Sequence, residues 1–268
     1  MARHKYVPLR LIPVLSGLPE KEVANRLRRL NALGLVQRRV GAYIGYMLTT
    51  RGYDCLALNV LVKRGVLKAL SLRPLGIGKE SDVLEGLSSA GERVAVKFHR
   101  HGRVSFRSAR KLRTYVGERR HISWLYEARL AAEYEFQALN ILYPKGVSVP
   151  RPIHQNRHAV VTALVDGALL SDVYVLSDPE GVLNSIIENV VKAYVEDVIH
   201  GDLSEFNVLV NREENVFLID WPQWVSRAHP NAESILRRDV NNIIRFFRRR
   251  FRLNVDFETV WRTMFSNT

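Results

Sequence analysis

Val198-Ile199-His200-Gly201-Asp202-Leu203-Ser204-Glu205-Phe206-Asn207-Val208-Leu209-Val210 is followed, seven residues on, by Phe217-Leu218-Ile219-Asp220. An acid at Asp202, an amide at Asn207 and a second acid at Asp220 each stand between apolar β-formers. Asp202 has the position of a carboxylate that takes or orients a proton. Asn207 and Asp220 have the positions of oxygen ligands that hold a divalent metal against phosphate. The spacing predicts a catalytic loop and a hairpin that end on the metal aspartate. It implies phosphoryl transfer with Asp202 as the catalytic carboxylate and Asn207 and Asp220 as metal ligands.

Upstream, Leu72-Arg73-Pro74-Leu75 leads into Gly76-Ile77-Gly78-Lys79-Glu80-Ser81. Gly76 and Gly78 let backbone N–H groups approach phosphate, and Ser81 stands where a third glycine would fall. Arg73 and Glu80 exclude a Walker A loop. Val94-Ala95-Val96-Lys97-Phe98 places one Lys inside an apolar strand, which is expensive unless the Lys is paired. A Lys so placed holds α- and β-phosphates and pairs with a helix Glu. The expected helix runs from Trp124 to Leu142. Glu135 is its favoured partner because Leu139 lies one turn on; Glu133 is the fallback, since residues two apart cannot share a helix face. His158 to Gly167 reads as a strand entering a hinge, where backbone groups of Ala163 and Val165 meet adenine. About 99–121 reads as a long basic insert.

The N-terminal part reads differently. Val7 to Leu15 is expected as a short helix, then Pro19 to Leu33 as a firmer one, opened by Pro19, Glu20 and Glu22 and stopped by Gly34. Leu35–Val40 and Tyr43–Leu48 flank Gly41-Ala42 as a two-stranded ribbon. Thr49 or Thr50 caps a further helix to about Lys63. This order is a winged helix-turn-helix pattern. Lys21, Arg26, Arg28, Arg29, Arg38 and Arg39 are its candidate nucleic-acid contacts.

The 268 residues carry 40 Lys and Arg against 27 Asp and Glu, a formal charge of +13. Such an excess points to a phosphate-rich partner, RNA foremost. The single cysteine, Cys55, excludes an intrachain disulfide and fits a reducing, cytoplasmic setting. No apolar run reaches the roughly 18 residues of a membrane span.

Taken together, Gly76–Ser81, Val96-Lys97-Phe98-His99, Glu135-Phe136-Gln137-Ala138-Leu139, His200–Ser204 with Asn207, Ile219-Asp220-Trp221-Pro222-Gln223 and Arg238-Asp239-Val240 resemble the RIO atypical protein kinases. The resemblance is to an archaeal member of the branch that carries a winged helix. It implies an α+β fold: a winged helix-turn-helix over residues 1–70, then a compact bilobal kinase-like domain with an N-lobe over 71–167 and a reduced C-lobe over 168–268. An activation segment and peptide-docking helices are expected to be missing. The family carries a further helix before the segment matching Tyr6–Leu9, so the winged helix is expected to be truncated. The hinge, Met-Glu-Leu in the family, is here Thr162-Ala163-Leu164. The resemblance also implies ATP with Mg²⁺ or Mn²⁺, phosphorylation of protein Ser including the chain's own, and a role in maturing the small ribosomal subunit through its precursor rRNA. It further implies ATPase activity through a phosphorylated metal-site aspartate, Asp220. Two other readings share some motifs: a small-molecule phosphotransferase of the aminoglycoside or choline kinase type, and an assembly factor that binds RNA and uses ATP as a structural ligand.

Overall fold

The computed structural model describes residues 4, 6–78, 80–100 and 124–266. It has an α+β fold. The chain opens with β1 (Val7–Pro8), α1 (Leu11–Ser16) and α2 (Glu20–Ala32), then β2 (Val36–Val40) and β3 (Ile44–Leu48). The expected helix from Val7 to Leu15 is thus a strand and a shorter helix. Val7 and Pro8 pair with Tyr46 and Gly45, so the wing is a three-stranded sheet in the order β1-β3-β2. Pro8 fits there because β1 is an edge strand, where a missing N–H costs the sheet nothing. Val23 and Leu27 of α2 are buried against Val36. Each such side chain contributes on the order of 1.5–3 kcal/mol.

Next comes α3 (Thr50–Lys63), capped by Thr49, whose Oγ1 accepts the Gly52 N–H at 3.1 Å. Its buried face belongs to the following lobe. Ala57 and Leu61 pack with Leu67, Val94, Phe98 and Val161. That lobe is a five-stranded antiparallel sheet of β4 (Ala69–Ile77), β5 (Ser81–Leu87), β6 (Arg93–His99), β7 (Pro152–Asn156) and β8 (Ala159–Ala163), in the order β4-β5-β6-β8-β7. Helix α4 (Trp124–Leu142) packs on it. The basic insert starts later than expected: His99 ends β6 and Arg100 is buried. Most of that insert, with Lys79, lies outside the described residues.

The second lobe holds the largest core, centred on Ile186, Leu203, Trp221, Ile243 and Phe247. It comprises β9 (Gly167–Leu169), α5 (Pro179–Val195), β10 (Val208–Asn211), β11 (Val216–Leu218), α6 (Ala232–Phe251) and α7 (Phe257–Ser266). Asp178 caps α5 by accepting the Gly181 N–H at 2.9 Å. Strands β9, β10 and β11 form a small antiparallel sheet that carries the Asp202–Asp220 stretch. Among the described residues, no helix is long and apolar enough to cross a membrane.

Candidate active site

Lys97 sits on β6 with its side chain 14% exposed. Its ammonium donates to Glu135 Oε1 at 2.8 Å and to Asp220 Oδ1 at 2.7 Å. Burial alone would push the amine down, but the Asp220 and Glu135 carboxylates outweigh it and hold it above the ordinary lysine range. Burial likewise works against the charge on Glu135, and Lys97 and His99 overcome it, leaving that carboxyl below its usual value. Glu133 faces elsewhere, with Arg129 at 2.7 Å on the outer side of α4.

Sequence reasoning gave His99 no role, yet its Nε2 lies 2.7 Å from Glu135 Oε2. The two-residue period of a strand places His99 on the Lys97 face, a signal that the adjacent basic run concealed. Glu135 is therefore gripped at both oxygens by β6.

The Gly76–Ser81 turn, the candidate phosphate site, is tight. Gly78 N–H donates to Ser81 O at 2.8 Å, while Gly76 and Ile77 already pair with Val83 and Asp82. A side chain added at Gly76 would meet open space, so its backbone can be approached closely. At the hinge, the Ala163 N–H is committed to Arg151 O at 2.9 Å. An adenine contact at Ala163 would therefore use its carbonyl, with the Val165 N–H as the neighbouring donor.

In the second lobe, Gly201 has φ +80, and a Cβ there would come within 2.2 Å of the Gln223 carbonyl. Only glycine fits at this position of the loop. Asp239, buried on α6, accepts the Gly201 N–H at 2.8 Å, and Arg238 donates to the Gly201 carbonyl. A lone acid between Leu236, Val240 and Ile243 on the buried stripe of α6 is the sequence signal for this clamp. His200 donates from Nε2 to Ile219 O at 3.0 Å, so its Nδ1 accepts the Asp202 N–H at 3.3 Å. Asp202 itself is exposed. The surrounding protein pushes its carboxyl up, Asp220 and Asp239 add to that push, and His200 and Arg238 oppose it.

Asn207 Nδ2 donates to Asp202 O at 2.7 Å, and Ile219 N–H donates to Asn207 O at 3.0 Å. The first bond fixes the amide, leaving Oδ1 as the branch that can ligate. Asp220 has φ +66 and a side chain 39% exposed. Burial raises its carboxyl, but Lys97 dominates and keeps it below the ordinary range. One ionised carboxylate and one amide oxygen suit a hard cation that draws its other ligands from phosphate and water. Among the described residues, no group of three or more His, Cys, Asp or Glu could hold a metal.

The residue after Asp220 closes the arrangement. Trp221 is buried and its Nε1 donates to Leu218 O at 3.1 Å. Trp224 stacks on Tyr134 with ring centroids 4.9 Å apart, and its Nε1 donates to Tyr134 O at 3.1 Å. Helix α4 is thereby pinned to the segment that follows Asp220.

Lys21, Arg26, Arg28 and Arg29 on α2, with Arg38 and Arg39 on β2, are all exposed and far from this cluster in sequence. Arg26 pairs with Glu22 at 2.5 Å, and Arg39 lies over the Tyr6 ring at 5.4 Å.

Comparison with known proteins follows the same division. The family described as RIO domain matches residues 82–260, and the one described as Rio2, N-terminal matches residues 1–64. The chain is 45% identical over 254 residues to the RIO-type serine/threonine-protein kinase Rio2 of Methanocaldococcus jannaschii, covering 93% of this chain and 92% of that one. It is 33% identical to Saccharomyces cerevisiae RIO2, across 93% of this chain and 60% of the yeast protein. The Rio2 kinase of Chaetomium thermophilum, solved as an ADP/Mg²⁺-phosphoaspartate complex, superposes with a TM-score of 0.82 at 35% identity, covering 97% of this chain and 81% of that one.

Proposed function

The chain belongs to the RIO family as a Rio2-type serine/threonine-protein kinase, and from that premise we propose that it spends ATP in maturing the small ribosomal subunit. The observation that carries the reading is the double contact of Lys97 with Glu135 and Asp220, which joins the phosphate-holding strand to the metal aspartate.

ATP lies between the lobes, its adenine edge at the Ala163 carbonyl and Val165 N–H. Lys97, aligned by Glu135, holds the phosphates. The Gly76–Gly78 backbone and the Ser81 hydroxyl cover them. Asn207 and Asp220 hold Mg²⁺, or Mn²⁺, which accepts the same oxygen donors. The bound metal neutralises charge that develops on the phosphate oxygens. Asp202 orients the acceptor hydroxyl and takes its proton as the new O–P bond forms and the bond to ADP breaks. Positioning and fixed charge supply most of the rate.

The acceptor is a protein Ser, including one of the chain's own. A second acceptor is Asp220 itself, a reading favoured by the phosphoaspartate in the Chaetomium complex and by the ionised state of this carboxyl. Its oxygen attacks the γ-phosphorus, ADP leaves, and water later cleaves the acyl phosphate, which amounts to ATP hydrolysis. The exposed arginines of α2 and β2, within a chain of net charge +13, contact precursor rRNA in the cytoplasm.

The test is phosphate release and protein labelling from γ-labelled ATP, with and without the organism's small ribosomal subunits. Release stimulated by subunits, with a hydroxylamine-labile label, supports a ribosome-coupled ATPase. A hydroxylamine-stable Ser label without subunit dependence would leave a kinase and remove the ribosomal role.

A further inference from the structure

Arg100 is buried at 8% exposure, just past the strand that carries Lys97. Its guanidinium is held from two sides. Nε donates to Asp82 Oδ2 at 2.7 Å, on β5 and next to Ser81 of the phosphate-binding turn. Nη1 and Nη2 donate to the two oxygens of Asp54 at 2.5 and 3.1 Å. Asp54 lies on α3, outside the nucleotide cleft. The backbone of Arg100 joins the same turn, its N–H donating to Glu80 O at 2.6 Å.

His158, 1% exposed, braces this link. Its Nε2 is 2.7 Å from Asp54 Oδ1, and its ring stacks on Tyr53 of α3 with centroids 4.5 Å apart. The His158 carbonyl accepts the His99 N–H at 2.9 Å. His99 in turn holds Glu135, and Glu135 holds Lys97. Arg100 therefore ties α3 to the Gly78–Ser81 turn, and the backbone bond between His158 and His99 sets the same brace beside Glu135 and Lys97.

A buried guanidinium must be paired, and a two-pronged carboxylate fixes its plane as well as its charge. We propose that Asp54 is a positioning residue for nucleotide: through Arg100 it holds the phosphate-binding turn in place, so that α3 sets the affinity of a cleft it does not line. The inference rests on the reading that nucleotide phosphates lie beneath Gly76–Ser81. It goes beyond that reading by coupling the helix after the wing to nucleotide binding. Losing the Asp54 carboxylate leaves the guanidinium with Asp82 and the neutral ring of His158, so the fork that fixes its plane against the start of β5 is gone.

The experiment measures the Kd of a fluorescent ADP analogue with Mg²⁺, and the ATP KM and kcat, for the full chain and for Asp54→Asn, Asp54→Glu, Arg100→Lys and Lys97→Ala, with urea stability beside each. Asp54→Asn is expected to weaken binding about 5- to 10-fold, within the usual span of coupling between sites. The KM for ATP rises with it while kcat at saturating ATP is kept. Asp54→Glu recovers most of the loss, which a merely destabilised fold would not do. Arg100→Lys keeps the charge, loses the fork, and gives the same weakening should Asp54→Asn fold poorly. Unchanged affinity in Asp54→Asn and Arg100→Lys, with binding lost in Lys97→Ala, overturns the inference and leaves the nucleotide reading intact. Failure of the unaltered chain to bind the analogue overturns both.

Discussion

The ammonium of Lys97 lies 2.7 Å from the carboxylate of Asp220, a contact between the β6 strand of one lobe and the end of β11 in the other. A second tie, Trp224 on Tyr134, fixes α4 to the same segment. Kinase-like lobes need the lysine, the helix glutamate and the metal aspartate in place together. Here packing around Trp221 and Trp224 holds them, and the short stretch from Asp220 to the start of α6 at Ala232 leaves no room for a long activation segment.

Lys97→Ala removes the cation that compensates Glu135 and Asp220. An uncompensated buried carboxylate is strongly destabilising, so the variant should lose about 3–5 kcal/mol in urea unfolding. A loss below about 1 kcal/mol would mean the pair is solvated, as surface pairs are.

Gly201 cannot accept a side chain. Its φ of +80, and the Gln223 carbonyl 2.2 Å from where a Cβ would stand, oppose both Ala and Arg. Gly201→Arg, which restores the sequence common in other kinases, should abolish phosphate transfer, and Gly201→Ala should cost on the order of 1–3 kcal/mol. Full activity in Gly201→Arg, or unchanged urea stability in Gly201→Ala, would contradict the backbone argument.

The pH dependence of stability follows from Glu135 and Asp220. Lys97 holds both carboxyls below their unfolded values, against the opposing effect of burial. A depressed carboxyl stabilises the fold above its unfolded pKa of about 4, and that contribution is lost as pH falls through the folded value. Asp202 and Asp239 have the opposite sign: they are raised, so their ionisation with rising pH costs stability. The urea midpoint should hold from neutral pH to about 5 and fall below about 4. Glu135→Gln should flatten that acid limb; an equally steep fall in the variant would exclude Glu135 as its source.

Much of this was legible locally. Asp202, Asn207 and Asp220 are readable because a hairpin imposes their spacing. Trp124–Leu142 is readable because its alanines and leucines keep helical period. Contacts remote in sequence were not. Val7-Pro8 looks helical until β3 is found beside it. Arg100 looks like the first residue of a basic, solvated run, and its burial is set by Asp54, 46 residues away. Asp54 itself sits on an ordinary helix, and nothing in its neighbours marks it. Asp239 shows as a lone acid on the apolar stripe of α6, but its partner, the backbone of Gly201, is 38 residues away and does not.

The most direct measurement is ATP turnover by Asp202→Ala, made beside the Kd of the same protein for a fluorescent ADP analogue. With Asp202 taking the acceptor's proton and Lys97, Asn207 and Asp220 left to hold nucleotide and metal, turnover should fall by about 10²-fold or more while Kd stays unchanged. Full turnover in the variant would contradict the assignment of Asp202 and, with it, the proposed chemistry of the loop.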